Sequence, residues 1–171
     1  MDIKEIRTYL GEDLVKVNDL IKESLKSDIS LLDATNATIL SHGGKQMRPM
    51  LSLMMARACN GGRTTGDTIK FAAASELLHN ATLLHDDVAD GSTMRRGEPT
   101  ILSLMGAQAS VLLGDYWLVK AMENILSADK YSDKVIRLFS KTLSDLAEGE
   151  MLQLQKASSS DYTEEDYLRI I

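Results

Sequence analysis

The chain has 171 residues, enough for a domain with a real core, and its net charge of −6 excludes a general nucleic-acid binder, which needs a basic face. Hydrophobic residues make up 44% and charged residues 26%, the balance of an ordinary soluble globular protein, and one cysteine, Cys59, excludes an internal disulfide framework and suits a reducing cytoplasm. Aromatic residues are scarce, Ala, Leu and Met are plentiful and only Pro49 and Pro99 interrupt the chain, so the expectation is an all-α fold without strands. The N-terminus lacks the basic-then-apolar layout of a signal peptide.

In chain order, Ile6, Leu10, Leu14, Val17, Leu20 and Ile21 recur at helical spacing and predict one helix over 3–25, weakened at Gly11. A second helix over 31–40 stops at Gly43-Gly44. Pro49 suits the first turn of a third, which runs to about Cys59. A long helix over 65–90 follows, with Gly91 as its C-cap, and then a polar loop over 91–99. Helices are expected at about 100–107, 108–128 and 132–156, and Thr163-Glu164-Glu165-Asp166 opens a last one. The stretch 101–119 has the length of a membrane span, but Gln108, Ser110, Gly114 and Asp115 interrupt it, and it reads instead as a buried or interface helix with no transmembrane segment.

The chemistry concentrates at the end of the long helix. Asp86 and Asp90 fall about 40° apart around a helix and Asp87 about 60° from Asp90, so the three form an acidic patch at the negative pole of the helix. Nothing local offsets that charge, whereas a divalent cation would. Carboxylates without neighbouring cysteines suit a hard ion such as Mg²⁺ together with phosphate oxygens, and Arg95 and Arg96 in the next loop can grip an anion. A solvated acidic helix end would account for the Asp-Asp-x-x-Asp pattern alone. However, His79 lies about 20° off the same face, and the row His79, Thr82, Asp86, Asp90 is too polar for a core unless it lines a cleft. A second basic cluster, Gly43-Gly44-Lys45-Gln46-Met47-Arg48-Pro49, sits where a helix N-terminus favours an anion. By itself this is a common loop; together with Arg95 and Arg96 it points to two anionic groups.

These segments together resemble the trans-isoprenyl diphosphate synthases. The similar stretches are His79 to Asp90, Met94 to Thr100, Gly43 to Pro49, Val111 to Asp115 and Glu148 to Gln153, in the family's order. The resemblance implies a single domain over 1–171 of isoprenoid synthase type, a helical bundle around a central cavity, and a Mg²⁺-dependent prenyltransferase acting as a homodimer. The reaction it implies is head-to-tail condensation of isopentenyl diphosphate with an allylic diphosphate. Asp86, Asp87 and Asp90 would bind the Mg²⁺ on the allylic diphosphate and Arg95 would contact that group. Gly44, Lys45, Arg48, His79 and Arg96 would bind isopentenyl diphosphate.

Ala81 and Thr82, just before the aspartates, would set product length. The small Ala81 suggests a medium-to-long, octaprenyl-like chain, against the plain reading of a packing residue and the alternative of a farnesyl or geranylgeranyl synthase. Gln46 stands where the family often has a basic residue. The family's later Lys-Thr pair and second aspartate-rich motif do not occur in these 171 residues, so the expectation is an incomplete domain whose 171 residues alone are inactive or nearly so. A terpene cyclase fits less well, because it has no second diphosphate substrate for the Gly43 to Pro49 loop. A noncatalytic diphosphate-binding or regulatory subunit is the alternative of another class.

Overall fold

A computed structural model describes residues 2–41, 44–159 and 162–170. The expected helices form: α1 (Ile3–Leu10), α2 (Glu12–Ser24), α3 (Ser30–Ser41), α4 (Met47–Cys59), α5 (Gly66–Ala89), α6 (Ile101–Met105), α7 (Ala107–Leu126), α8 (Ser132–Ser159) and α9 (Glu164–Ile170). Their contacts divide into two compact units, residues 1–130 and 131–171.

In the first unit α5 is the central element, packed against α7, α4 and α2. Its middle, Ala72-Ala73-Ala74, is buried at three consecutive positions, which happens only when a helix is enclosed on every side. Alanine suits this place because it lets neighbouring helices approach closely at no side-chain entropy cost. Leu10, Val17, Ile21, Leu53, Leu77, Trp117 and Ile125 complete the core. Thr65 and Thr68 form a reciprocal cap that starts α5, as Asp2 and Glu5 do for α1.

Two expectations are corrected. The single helix over 3–25 is two helices. Gly11 has φ +48° and ψ −120°, a conformation that glycine adopts without steric cost, and the chain turns there. The turn exposes the carbonyls of Tyr9 and Leu10, which accept from Arg57 Nη1 (2.7 Å) and Nη2 (3.1 Å), while Arg57 also pairs with Asp13 at 2.6 Å. The expected absence of strands also fails. Met94–Arg95 pairs antiparallel with Glu98–Pro99 around Arg96 (φ +54°) and Gly97 (φ +87°). Two successive positive φ values give the two-residue hairpin turn whose twist matches paired strands, and an arginine in the first position hid it from sequence patterns.

The interrupted stretch 101–119 is broken at Gly106 (φ +86°), and among the described residues no helix is long and apolar enough to cross a membrane. In the second unit α8 carries Glu148 to Gln153, and α9 follows it, with Lys156 on Asp166 at 2.8 Å. Gly149 is buried on α8, where an added Cβ would lie 3.3 Å from the carbonyl oxygen of Ile170.

Candidate functional site

Three segments of the first unit build the site: the end of α5, the hairpin after it, and the loop that opens α4. The hairpin is anchored to the helix end. The Ser92 N–H donates to the Asp87 carbonyl (2.9 Å), and the Thr100 hydroxyl donates to the Ser92 carbonyl (2.8 Å). Its tight turn sends the adjacent arginines to different places.

Arg95 turns back onto α5. Its Nε and Nη2 both donate to Asp87 Oδ1, at 2.9 and 2.7 Å. Asp87 is only 4% exposed, whereas Asp86 and Asp90 are exposed. The acidic end therefore does have a local counter-charge, contrary to the expectation from the sequence. The three aspartates also separate: one is buried under an arginine and two face outward. Among the described residues no group of three acidic, histidine or cysteine side chains forms a metal cage. Two exposed carboxylates four residues apart fit a hard cation whose remaining ligands are water and phosphate oxygens.

Arg96 reaches the other way, across the loop before α4. A Cβ on Gly44 would lie 2.7 Å from Arg96 Nη1, so only glycine there leaves the guanidinium its place. Gly43 lies outside the described residues. Gly44, Lys45, Arg48, His79 and Arg96 line one cavity of about 450 Å³. The five residues expected to bind one substrate are thus brought together from three segments, the loop and first turn of α4, α5 and the hairpin turn. A neighbouring cavity of about 440 Å³ is lined by Asp87, Arg95, Arg96, Asn80 and Leu83 with apolar residues of α3 and α6.

Glu76 also lines the cationic cavity and was missed in the sequence. It lies three residues before His79, so following the polar face one turn further back would have found it. Burial raises its carboxyl pKa against the lowering pull of Arg48, Arg96 and Arg7. His79 shifts the other way. Burial first, then the positive charges of Arg48, Arg96 and Arg95, push its imidazole down to about 4, so it is neutral at physiological pH.

This shift has a consequence for stability. Between an unfolded value of about 6.5 and the folded value of about 4, the unfolded chain binds more protons at His79. Its contribution is fully present above pH 6.5 and is lost as pH falls through that window. Glu76 has the opposite sign, contributing below its unfolded value and losing that as pH rises. The test is therefore a difference: His79→Gln is expected to flatten the decline in stability between about pH 6.5 and 4 relative to the wild type, measured by urea unfolding. Parallel curves for the two proteins would refute the assignment.

Ala81 and Thr82 sit deeper on α5. Ala81 is 1% exposed and packed in the core, and the Thr82 hydroxyl donates to the His79 carbonyl at 2.9 Å. Leu83, rather than either of them, faces the second cavity. One further contact joins α5 to α7: His85 Nε2 lies 3.2 Å from Asp115 Oδ1 and 3.3 Å from the Val111 carbonyl oxygen. Gly114 makes room for it, since an added Cβ would overlap the imidazole.

The polyprenyl synthetase family model matches residues 29–171. The chain belongs to the polyprenyl synthetase family. It is 40% identical over 171 residues to octaprenyl diphosphate synthase of Escherichia coli (strain K12), an alignment covering all of this chain and 52% of that protein. It is 36% identical to an all-trans-nonaprenyl-diphosphate synthase of Rhodobacter capsulatus, over 98% of this chain and 51% of that one. The fold is similar to the crystal structure of a decaprenyl diphosphate synthase from Rhodobacter capsulatus, with a TM-score of 0.88 and 37% identity over 99% of this chain and 51% of the other. It is also similar to a polyprenyl synthase of Caulobacter crescentus complexed with calcium and isoprenyl diphosphate, with a TM-score of 0.87 and 33% identity over the same shares. The all-α isoprenoid synthase fold expected from the sequence is therefore the one found. The chain spans about half the length of the curated relatives it matches.

Proposed function

We propose that the intact protein is a trans-polyprenyl diphosphate synthase that condenses isopentenyl diphosphate with an allylic diphosphate. The observation that carries this reading is the cavity in which Lys45, Arg48, His79 and Arg96 converge, next to an acidic helix end that holds a third arginine, Arg95. Two adjoining cationic cavities that share Arg96 suit two diphosphates and do not suit a cyclase with one.

In this reading Lys45, Arg48 and Arg96 hold the diphosphate of isopentenyl diphosphate by charge-assisted bonds. Neutral His79 adds a hydrogen bond without further charge, and Gly44 allows Arg96 to reach. Asp86 and Asp90 would hold Mg²⁺, with Arg95 at the allylic diphosphate and Asp87 orienting Arg95. Bound Mg²⁺ would neutralise charge that builds on the departing diphosphate.

The reaction breaks the allylic C–O bond, both electrons leaving with the diphosphate. The double bond of isopentenyl diphosphate then forms the new C–C bond, and a proton is lost. Arginines aimed at the leaving group stabilise the developing charge, and fixing the second substrate beside it supplies proximity.

The relatives named for octaprenyl, nonaprenyl and decaprenyl products support a medium-to-long product. A geranylgeranyl diphosphate synthase at 32% identity keeps a shorter product as the alternative. The homodimer and the cytoplasmic location belong to the same proposal. Exposed Leu112, Val119 and Leu126 recur every seventh residue along α7 and form an apolar stripe suited to a second copy. The test is incubation of the intact protein with Mg²⁺, radiolabelled isopentenyl diphosphate and an allylic diphosphate, followed by chromatography of the dephosphorylated product. A ladder ending near eight isoprene units is expected; no incorporation with any allylic primer would overturn the reading.

A further inference from the structure

The family match begins at residue 29, so α1 and α2 lie before it. Yet the cation-bearing loop is held from there. Arg7, on α1, donates through Nη2 to the carbonyls of Lys45 (2.9 Å) and Gly44 (3.4 Å), and through Nη1 to Gln46 Oε1 (3.2 Å). The other end of the Gln46 amide donates through Nε2 to Asn18 Oδ1, on α2.

Gln46 is the N-cap of α4 but makes no side-chain capping bond, because both ends of its amide are committed to α1 and α2. Its backbone stands at φ +54°, a left-handed conformation that a side-chain-bearing residue keeps only when its surroundings enforce it. Arg7 and Asn18 do not line the cavity of Lys45 and Arg48. They line a neighbouring cavity that shares Gly44, Gln46 and Glu76 with it.

We propose that Arg7 is a positioning residue for the isopentenyl diphosphate subsite. It clamps the backbone carbonyls of Gly44 and Lys45 and the side chain of Gln46 so that Lys45 and Arg48 face the diphosphate before it arrives. The physical reason is preorganisation. Two carbonyls held by one guanidinium cannot reorient without giving up charge-assisted bonds, so the loop is ordered in advance of binding rather than by it. Gln46, where the family often has a basic residue, serves as the second point of attachment. The inference rests on the proposed function for the name of the anion, but the clamp itself is independent of it.

The test uses steady-state kinetics of the intact protein with each substrate varied in turn. Arg7→Ala is expected to raise KM for isopentenyl diphosphate about tenfold, with kcat and KM for the allylic diphosphate changed by less than about twofold. Arg7→Lys keeps the charge but not the fork that spans three acceptors, and an intermediate KM is expected. Arg57→Ala is the structural control. Arg57 also ties the end of α1 to the rest of the unit, but its side chain does so through Tyr9, Leu10 and Asp13 rather than through Gly44, Lys45 or Gln46.

Arg57→Ala is expected to lower Tm while leaving both KM values as in the wild type. An unchanged KM for isopentenyl diphosphate in Arg7→Ala, an equal rise in both KM values, or the same selective rise in Arg57→Ala would overturn the clamp. A wild-type protein that does not condense its substrates refutes the proposed function instead. The clamp is then read by calorimetric titration with inorganic diphosphate, whose affinity Arg7→Ala should lower about tenfold and Arg57→Ala should not.

Discussion

Asp86→Ala in the intact protein is expected to lower kcat about a thousandfold, and to raise the Mg²⁺ concentration needed for half-maximal rate. Asp86 and Asp90 are the two aspartates that face outward at the end of α5. They sit at the negative pole of that helix, where the last carbonyls add to the repulsion between them. Asp86→Ala would remove one of the two carboxylates that α5 is proposed to offer the cation, and so loosen the ion against the leaving group.

The contrast with Asp87 makes this prediction specific. Asp87 is buried and spends Oδ1 on two donors of Arg95. Asp87→Asn keeps the shape but weakens that grip, so it should raise KM for the allylic diphosphate and leave the Mg²⁺ requirement near the wild-type value. Radiolabel incorporation over a Mg²⁺ titration separates the two effects. An Asp86→Ala rate within about tenfold of the wild type at saturating Mg²⁺ would sink the metal assignment. Identical Mg²⁺ titrations for Asp86→Ala and Asp87→Asn would sink the division of labour among the three aspartates.

That division shows where sequence reading stops. Periodicity located nearly every helix, because helix burial is written locally at spacings of three and four. The charged residues Lys45, Arg48, Asp87, Arg95 and Arg96 that line the two cavities were also legible, since charges near glycines stand out in a chain of helix formers. The pairing was not. Arg95 and Arg96 are neighbours in sequence, but with Arg96 and Gly97 at positive φ, Arg95 pairs with Asp87 while Arg96 lies beside Gly44. Asp86 and Asp87 are neighbours too, and 100° of helix rotation separates solvent from the core. Arg7 carries no local signal, because its acceptors lie 37 to 39 residues away and two of them are backbone carbonyls. Gly11 could be read as a weak point but not as a turn, since glycine is tolerated inside helices as well as breaking them.

The second large effect belongs to Asn36, a residue without any local signal in the sequence. α3 buries little: Thr35 and Asn36 are its two buried residues, while Leu31 is exposed. What holds this helix is a polar bridge in an apolar setting. Asn36 Nδ2 donates to the carbonyl of Leu25, at the end of α2, at 2.9 Å, and Asn36 Oδ1 accepts from Trp117 Nε1, on α7, at 2.8 Å.

Leu25 and Trp117 are each 1% exposed, so no water waits to replace the lost partner. Asn36→Ala would leave a buried indole N–H and a buried carbonyl both unpaired. Each such group costs about 1–3 kcal/mol, which suggests a loss of about 3 kcal/mol overall. Asn36→Asp is the informative companion. Its carboxylate can still accept from Trp117 but meets the Leu25 carbonyl with like polarity, so it should be at least as destabilising despite its nearly equal volume.

Urea unfolding of the intact protein measures both, and a loss under about 1 kcal/mol for Asn36→Ala would show that α3 is held by something else. Because the far end of α3 supplies Thr38 and Ile39 to the cavity beside Asp87 and Arg95, the same substitution should loosen the wall of that cavity. A rise in KM for the allylic diphosphate at temperatures well below unfolding would register it, linking a buried amide in the core to the cavity beside Asp87 and Arg95.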